Sequence, residues 1–174
     1  MKVKIKKLHP DAVTPAYAKT GDAGMDLTAV SMKIDEYGNI CYGTGLAFEI
    51  PEGYVGLVFP RSSNHKKGVI LTNCVGVIDS GYRGEVSFKF RPLIENADEF
   101  ACEESKKKYK EQHPNFDETQ EIYFLRYPGN HTTYKLGDRI GQIIIMPYPQ
   151  IEFEEVEELS ETERGTQGYG SSGE

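Results

Sequence analysis

Five short stretches of the chain carry residue types suited to binding and cleaving a small charged molecule. The densest runs from Asn73 to Glu85, NCVGVIDSGYRGE. Strand-like arms flank Asp79-Ser80-Gly81-Tyr82, and a hairpin there would offer backbone N–H and C=O groups to the edge of a base. Asn73 could add a side-chain amide, Tyr82 could press its ring against a sugar, and Asp79 could orient or deprotonate a water. An ordinary β-turn, with Asp79 capping its own backbone, would account for Asp79, Ser80 and Gly81. It gives no reason for Asn73, Tyr82 or Gly84.

The other four stretches are weaker singly. Pro60-Arg61-Ser62-Ser63 follows the apolar run YVGLVF. Arginine supplies a planar fork for oxyanions, the serines add hydroxyl and backbone donors, and Lys66 and Lys67 lie close by, so phosphate is the natural guest. The same four residues also occur in plain loops. In Ala23-Gly24-Met25-Asp26-Leu27 a turn leads into an aspartate at the mouth of a strand. Such a carboxylate suits Mg²⁺, directly or through its waters, or simply closes a turn. In Gly137-Asp138-Arg139-Ile140-Gly141-Gln142 the amide of Gln142 lies inside an apolar strand. It needs a ligand or an internal partner, because an unsatisfied buried amide costs about 1–3 kcal/mol. Arg164 to Glu174, RGTQGYGSSGE, combines charge, an aromatic ring and four glycines. It reads either as a mobile tail or as a segment that orders around an anion.

Several chemistries are excluded. The histidines, His9, His65, His113 and His131, have no metal-ligand spacing, and Cys41, Cys74 and Cys102 form no CxxC pair, which argues against zinc. Neither a nucleophile elbow with a Ser/His/Asp set nor a Walker loop is present.

The elements that must carry these residues are short strands. Val3 and Ile5 alternate with lysines. Tyr54 to Phe59, Val75 to Ile78, Val86 to Phe90, Glu121 to Tyr127, Ile140 to Met146 and Ile151 to Val156 alternate or run apolar at strand length. Turn residues recur at Pro51-Glu52-Gly53, Asp79-Ser80-Gly81, Tyr127-Pro128-Gly129 and Leu136-Gly137-Asp138. With 18 glycines and 9 prolines in 174 residues, this pattern predicts one all-β domain, a sandwich or barrel. One segment differs. Asn96 to Gln112 has a capping asparagine, leading acids and trailing lysines, and reads as a short surface helix inserted between strands.

Charge narrows the partners. The net charge is −7, and Ile151 to Glu163 contains seven acidic residues and no basic one. The rest of the chain is balanced, a poor match for duplex nucleic acid, though a local positive pocket can still take a small anion. No apolar run approaches the roughly 20 residues of a membrane span. The basic, alternating start lacks a signal-type apolar region, and three widely spaced cysteines suit a reducing compartment; a cytoplasmic location is expected.

Taken in order, AGMDL, PRSS, NCVGVIDSGYRGE, RIGQ and RGTQGYGSSG resemble the five motifs of the trimeric deoxyuridine triphosphate nucleotidohydrolases, the dUTPases. The likeness covers residues 1–91 and about 134–174, and the third motif is the most specific. It implies a distorted β jelly roll over residues 1–163, with an inserted helical excursion at about 95–113, and a mobile motif at 164–174 that closes over the site. It further implies a homotrimer with shared active sites, neither nucleic acid nor membrane as partner, and Mg²⁺ as cofactor. The implied reaction is water attack on the α-phosphorus of dUTP, giving dUMP and pyrophosphate, which removes dUTP and supplies dUMP for thymidylate synthesis. By the same resemblance Asp26 would hold waters of the Mg²⁺, and Arg61, Ser62 and the Ser63 amide would meet the phosphates. Asn73 and the backbone of Val77 and Ile78 would read uracil, and Tyr82 would pack on deoxyribose. Asp79 would activate the water, and Gln142 would help place it. Arg164, Gly170, Ser171 and Ser172 would close over the phosphate end, and Tyr169 would cover the base. Three features depart from the family pattern: Tyr169 stands where phenylalanine is usual, Gln167 where glycine is usual, and the segment between Arg91 and Leu136 exceeds the common length.

Two other readings remain at the level of sequence. A dCTP deaminase of the same fold, alone or bifunctional, would need a glutamate placed to activate water at C4, and no such residue stands out. A nucleotide-binding β module would keep the motifs without turnover.

Overall fold

The computed structural model describes residues 1–73, 75–92 and 133–166. Ten strands account for most of the regular structure among them: β1 (Lys4–Lys7), β2 (Met25–Thr28), β3 (Ser31–Ile34), β4 (Ile40–Gly43), β5 (Leu46–Glu49), β6 (Tyr54–Pro60), β7 (Val69–Leu71), β8 (Gly76–Ile78), β9 (Ser87–Pro92) and β10 (Arg139–Pro147). Every pairing is antiparallel. One four-stranded sheet has the order β2-β10-β6-β8, a second the order β3-β4-β9-β7, and β1 pairs with β5. The chain is all-β and jelly-roll-like. Its one helical segment among the described residues is a 3₁₀ turn at Ser62–Lys66. No helix among them is long and apolar enough to cross a membrane.

The alternation in sequence becomes the two-sidedness of the sheets. Along β9, Phe88 and Phe90 are buried while Ser87, Lys89 and Arg91 are exposed. Those rings meet Tyr42 of β4, which stands edge-on to Phe90 at 6.1 Å. From the facing sheet come Leu27, Val58, Ile140 and Ile143, all essentially inaccessible to solvent. Each such side chain contributes about 1.5–3 kcal/mol on burial, so this layer is what fixes the strands that carry the candidate residues.

Four strands, β3 to β5 and β7, were not anticipated, and β2 only as the strand that Asp26 opens, because three or four residues between glycines and polar turns are too short to show a period. Two expectations are corrected. The arms around Asp79 do not pair with each other: β8 joins β6, while β9 runs beside β4 and β7 in the other sheet. Ile151, Phe153 and Val156 form no strand; residues 148–156 have no regular structure and their large apolar side chains face solvent. A strand needs a neighbour, and none of the described residues supplies one there. The expected helix at Asn96 to Gln112 and the expected strand at Glu121 to Tyr127 lie outside the described residues.

Candidate active site

Register in the first sheet assembles the first group of candidates. Gln142 on β10 lies opposite Asp26 on β2 and, on its other side, opposite Phe59 on β6. Pro60 and Arg61 come directly after Phe59, so the mouth of β2 and the exit of β6 face each other across Gln142. The Gln142 amide is satisfied internally: its Nε2 donates to the Pro60 carbonyl at 3.3 Å. A Cβ at position 24 would meet the Gln142 side-chain amide, which would have to shift to admit it.

Asp26 is gripped by two guanidinium groups. Arg61 Nε donates to one carboxylate oxygen at 2.9 Å, and Arg139 donates to the other at 3.1 Å. The carboxylate is 25 % exposed, so the cluster is open on one side. Two cations on one anion leave a local positive excess, the right balance for an incoming phosphate. Arg139 was not singled out from sequence. Its signal was present in its place at the first residue of β10, within the same short stretch as Gln142.

Arg61 is also the extended residue from which the 3₁₀ turn departs, with φ −76° and ψ 154°. The turn closes with Asn64 N–H donating to the Arg61 carbonyl at 2.9 Å and Lys67 N–H donating to the Asn64 carbonyl at 2.9 Å. Ser62 and Ser63 therefore open a tight turn immediately beside the Asp26 cluster.

A second group sits elsewhere. On β8, Val77 pairs with Leu57 and Ile78 with Gly56. Asp79 follows, and its carbonyl accepts the Tyr82 N–H at 3.0 Å, closing a turn. Arg83 braces that turn by donating to the carbonyls of Ser80 at 2.6 Å and Tyr82 at 3.0 Å. The Tyr82 hydroxyl donates to the Glu85 carbonyl at 3.1 Å. Asn73, Asp79 and Tyr82 are exposed, and Val77 is 60 % exposed, unusual for a valine in a strand.

The sheet keeps these two groups apart. Three strand spacings separate β2 from β8, about 14 Å, and the Gly56 register lies three residues from that of Phe59, about 10 Å along the strand. Asp26 and Asp79 of one chain are therefore not neighbours. Arg164 comes at the end of the exposed stretch after β10, where Phe153 is 92 % and Leu159 is 88 % exposed. Tyr169, Gly170, Ser171 and Ser172 lie outside the described residues.

No group of three or more histidine, cysteine or acidic side chains that could cage a metal occurs among the described residues. A single carboxylate such as Asp26 fits a different role. Mg²⁺ dehydrates reluctantly and commonly arrives on phosphate oxygens with its waters, and a carboxylate oxygen that already accepts one guanidinium bond keeps a lone pair for such a water.

Comparison with known proteins agrees with this geometry. The family model described as dUTPase matches residues 11–97 and 104–173. The deoxyuridine 5'-triphosphate nucleotidohydrolase of Nautilia profundicola is 38% identical over 99% of this chain and 99% of its own. That of Rhodococcus erythropolis is 35% identical, over 99% of this chain and 87% of its own. Among solved structures, a variant of the Staphylococcus bacteriophage 80alpha dUTPase with dUpNHpp superposes with a TM-score of 0.68 at 26% identity, covering 99% of this chain and 98% of that one. A variant of the phage phi11 dUTPase of S. aureus, described with a structural Mg(II) ion, gives a TM-score of 0.63 at 25% identity, over 91% of this chain and 98% of that one. A family model matching nearly all of residues 11–173, together with relatives matched over most of their length at more than a third identity, makes the chain a member of the dUTPase family.

Proposed function

We propose that the chain hydrolyses dUTP to dUMP and pyrophosphate in a homotrimer whose active sites combine residues from different copies. The observation that carries the reading is the Arg61–Asp26–Arg139 cluster at the head of the Ser62–Lys66 turn, an anion seat flanked by Gln142. Sharing between copies is supported by the separation of that cluster from Asp79 and Tyr82 within one chain. It is supported also by the bare apolar side chains of Val77, Ile151, Phe153 and Leu159, which a neighbouring copy would cover. In the same reading residues 1–163 are the folded unit, and residues 164–174 are a mobile motif that closes over the site. A cytoplasmic location belongs to it too, on the support of cysteines without a pairing pattern.

The chemistry follows from the residue types. The triphosphate settles on Arg61, the hydroxyl of Ser62 and the backbone N–H of Ser63, with Arg164, Gly170, Ser171 and Ser172 closing over its far end. Mg²⁺, when bound, neutralises charge on the phosphates, with Asp26 holding it through water. Asn73 and the backbone of Val77 and Ile78 read the base, the Tyr82 ring packs against the sugar where a 2′-hydroxyl would collide, and Tyr169 covers the base. Asp79 accepts a proton from water as its oxygen bonds to the α-phosphorus; the bridging oxygen leaves with pyrophosphate. Gln142 helps to hold the water and the phosphate. Such hydrolysis needs positioning and charge stabilisation more than covalent chemistry, which suits a site without an activated nucleophilic side chain.

The test is pyrophosphate release from dUTP, dTTP, dCTP and UTP, with and without Mg²⁺. Fast release from dUTP alone, dependent on Mg²⁺, is expected. Equal turnover of all four nucleotides, or ammonia release from dCTP, would overturn the reading.

A further inference from the structure

The turn that opens with Ser62 has few bonds of its own, the backbone bonds of Asn64 and Lys67 and the contact of His65 Nδ1 with the Ser62 carbonyl at 2.8 Å. It is a 3₁₀ segment of five residues, its preceding residue makes no side-chain cap, and no acidic side chain lies in its first turn. Short 3₁₀ pieces have poor internal hydrogen-bond geometry and take their shape from what they touch. Asn64, in the middle of the turn, is anchored from outside at both ends of its amide. Its Nδ2 donates to the Val69 carbonyl at 2.8 Å, and its Oδ1 accepts from the Tyr134 hydroxyl at 3.0 Å. The two bonds together fix which end of the amide is which.

Tyr134 is a rigid post for that bond. It is 3 % exposed and lies 5.4 Å from the Phe90 ring and 6.0 Å, edge-on, from the Tyr42 ring. Its own carbonyl accepts the Tyr42 hydroxyl at 2.8 Å. It meets the turn a second time through Lys67, whose Nζ lies 5.0 Å from the centre of the Tyr134 ring and 3.7 Å from the Asp138 carboxylate. Burial pushes the phenol above its ordinary range, with the charge of Arg61 opposing, so the hydroxyl remains a donor at neutral pH.

We propose that Tyr134, through its hydroxyl on Asn64, is a positioning residue for the phosphate-binding turn. It touches no substrate; it sets where Arg61, Ser62 and Ser63 stand, and so governs the grip on the phosphate chain and not the reading of the base. The proposal rests on the dUTP reading above.

Tyr134→Phe isolates the effect, because it keeps the ring, its aromatic neighbours and the cation over it, and removes only the donor. Asn64→Ala removes the acceptor. The full chain and both variants are titrated with a non-hydrolysable α,β-imido dUTP and with deoxyuridine, which has base and sugar but no phosphate. The expected result is an affinity for the imido analogue lowered about tenfold in Tyr134→Phe, the size one hydrogen bond supports, and at least as far in Asn64→Ala, which also gives up the bond to Val69, with deoxyuridine binding unchanged. The double variant loses no more than Asn64→Ala alone, since the Tyr134 bond is already gone there. Unchanged affinity for the analogue, equal losses for the two ligands, or losses that add in the double variant would each overturn the proposal. Failure of the unaltered chain to turn over dUTP would strike the proposed function instead.

Discussion

Asp26 shows how one side chain can serve two ends. Its partners, Arg61 and Arg139, are themselves partly open to water, so the ion pairs contribute at most about 1 kcal/mol to folding. What Asp26 chiefly does is aim two cations at one place. Asp26→Asn is therefore expected to melt close to the unaltered chain but to lose most of its turnover of dUTP; calorimetry beside a pyrophosphate assay checks both halves. Asp79 is the opposite case, an exposed carboxylate on a braced turn and outside the cationic cluster. Asp79→Asn is expected to keep KM within a few-fold and to lower kcat by about 10²- to 10⁴-fold, the usual range for a general base. A near-normal kcat would remove Asp79 from that role. As candidates Asp26, Arg61, Gln142 and Asp79 stood out in sequence by their order along the chain, with strands between, and not singly. Arg139 did not, because its meaning depends on a carboxylate 113 positions away that only the register of β10 brings to it.

Among the elements, β10 carries the heaviest constraint. It is the centre of its sheet, pairing with β2 and β6, and Gly141 lies where Phe88 of the facing sheet presses in. A Cβ there would collide with the Phe88 ring and come 2.8 Å from the Phe59 backbone oxygen. Gly141→Ala is expected to cost about 1–3 kcal/mol by overpacking, lowering Tm by about 2–12 °C, because the backbone contact cannot yield by a rotamer change. The β3–β4 connection has its own device. Burial would raise the Asp35 carboxyl, but the side chain and N–H of Asn39, the N–H of Tyr37 and the Cys41 thiol outweigh it and hold it at about 2, against 3.8 ordinarily. Because the folded value is the lower one, the stabilisation is present above about pH 4 and is lost as pH falls towards 2. The gap in stability between the unaltered chain and Asp35→Asn is expected to narrow as pH falls across that window in urea melts. The long strands were readable from alternation and glycine punctuation. The short ones, and the choice of β6 over β9 as partner for β8, were not, since partner choice is settled by which sheet buries Val58 and Phe88 and not by local pattern.

For the whole molecule the governing fact is distance. One chain holds the Arg61–Asp26–Arg139 cluster at one place in its first sheet, the Asp79–Tyr82 turn at another, and an acidic stretch without regular structure that leads to Arg164 without burying its own apolar side chains. Removing residues 164–174 is expected to leave Tm and oligomeric state unchanged while abolishing most turnover; an unchanged rate would make the segment a bystander. The direct measurement is complementation. Asp79→Asn and Arg61→Met are prepared separately, each shown to be nearly inactive, then denatured together and refolded as a mixture. If sites are shared, some mixed assemblies unite an intact Asp79 from one copy with an intact Arg61 from another, and dUTP turnover should rise well above that of either parent refolded alone. Turnover no higher than the parents, in a mixture shown to contain both chains in the same assemblies, would contradict the sharing of sites between copies.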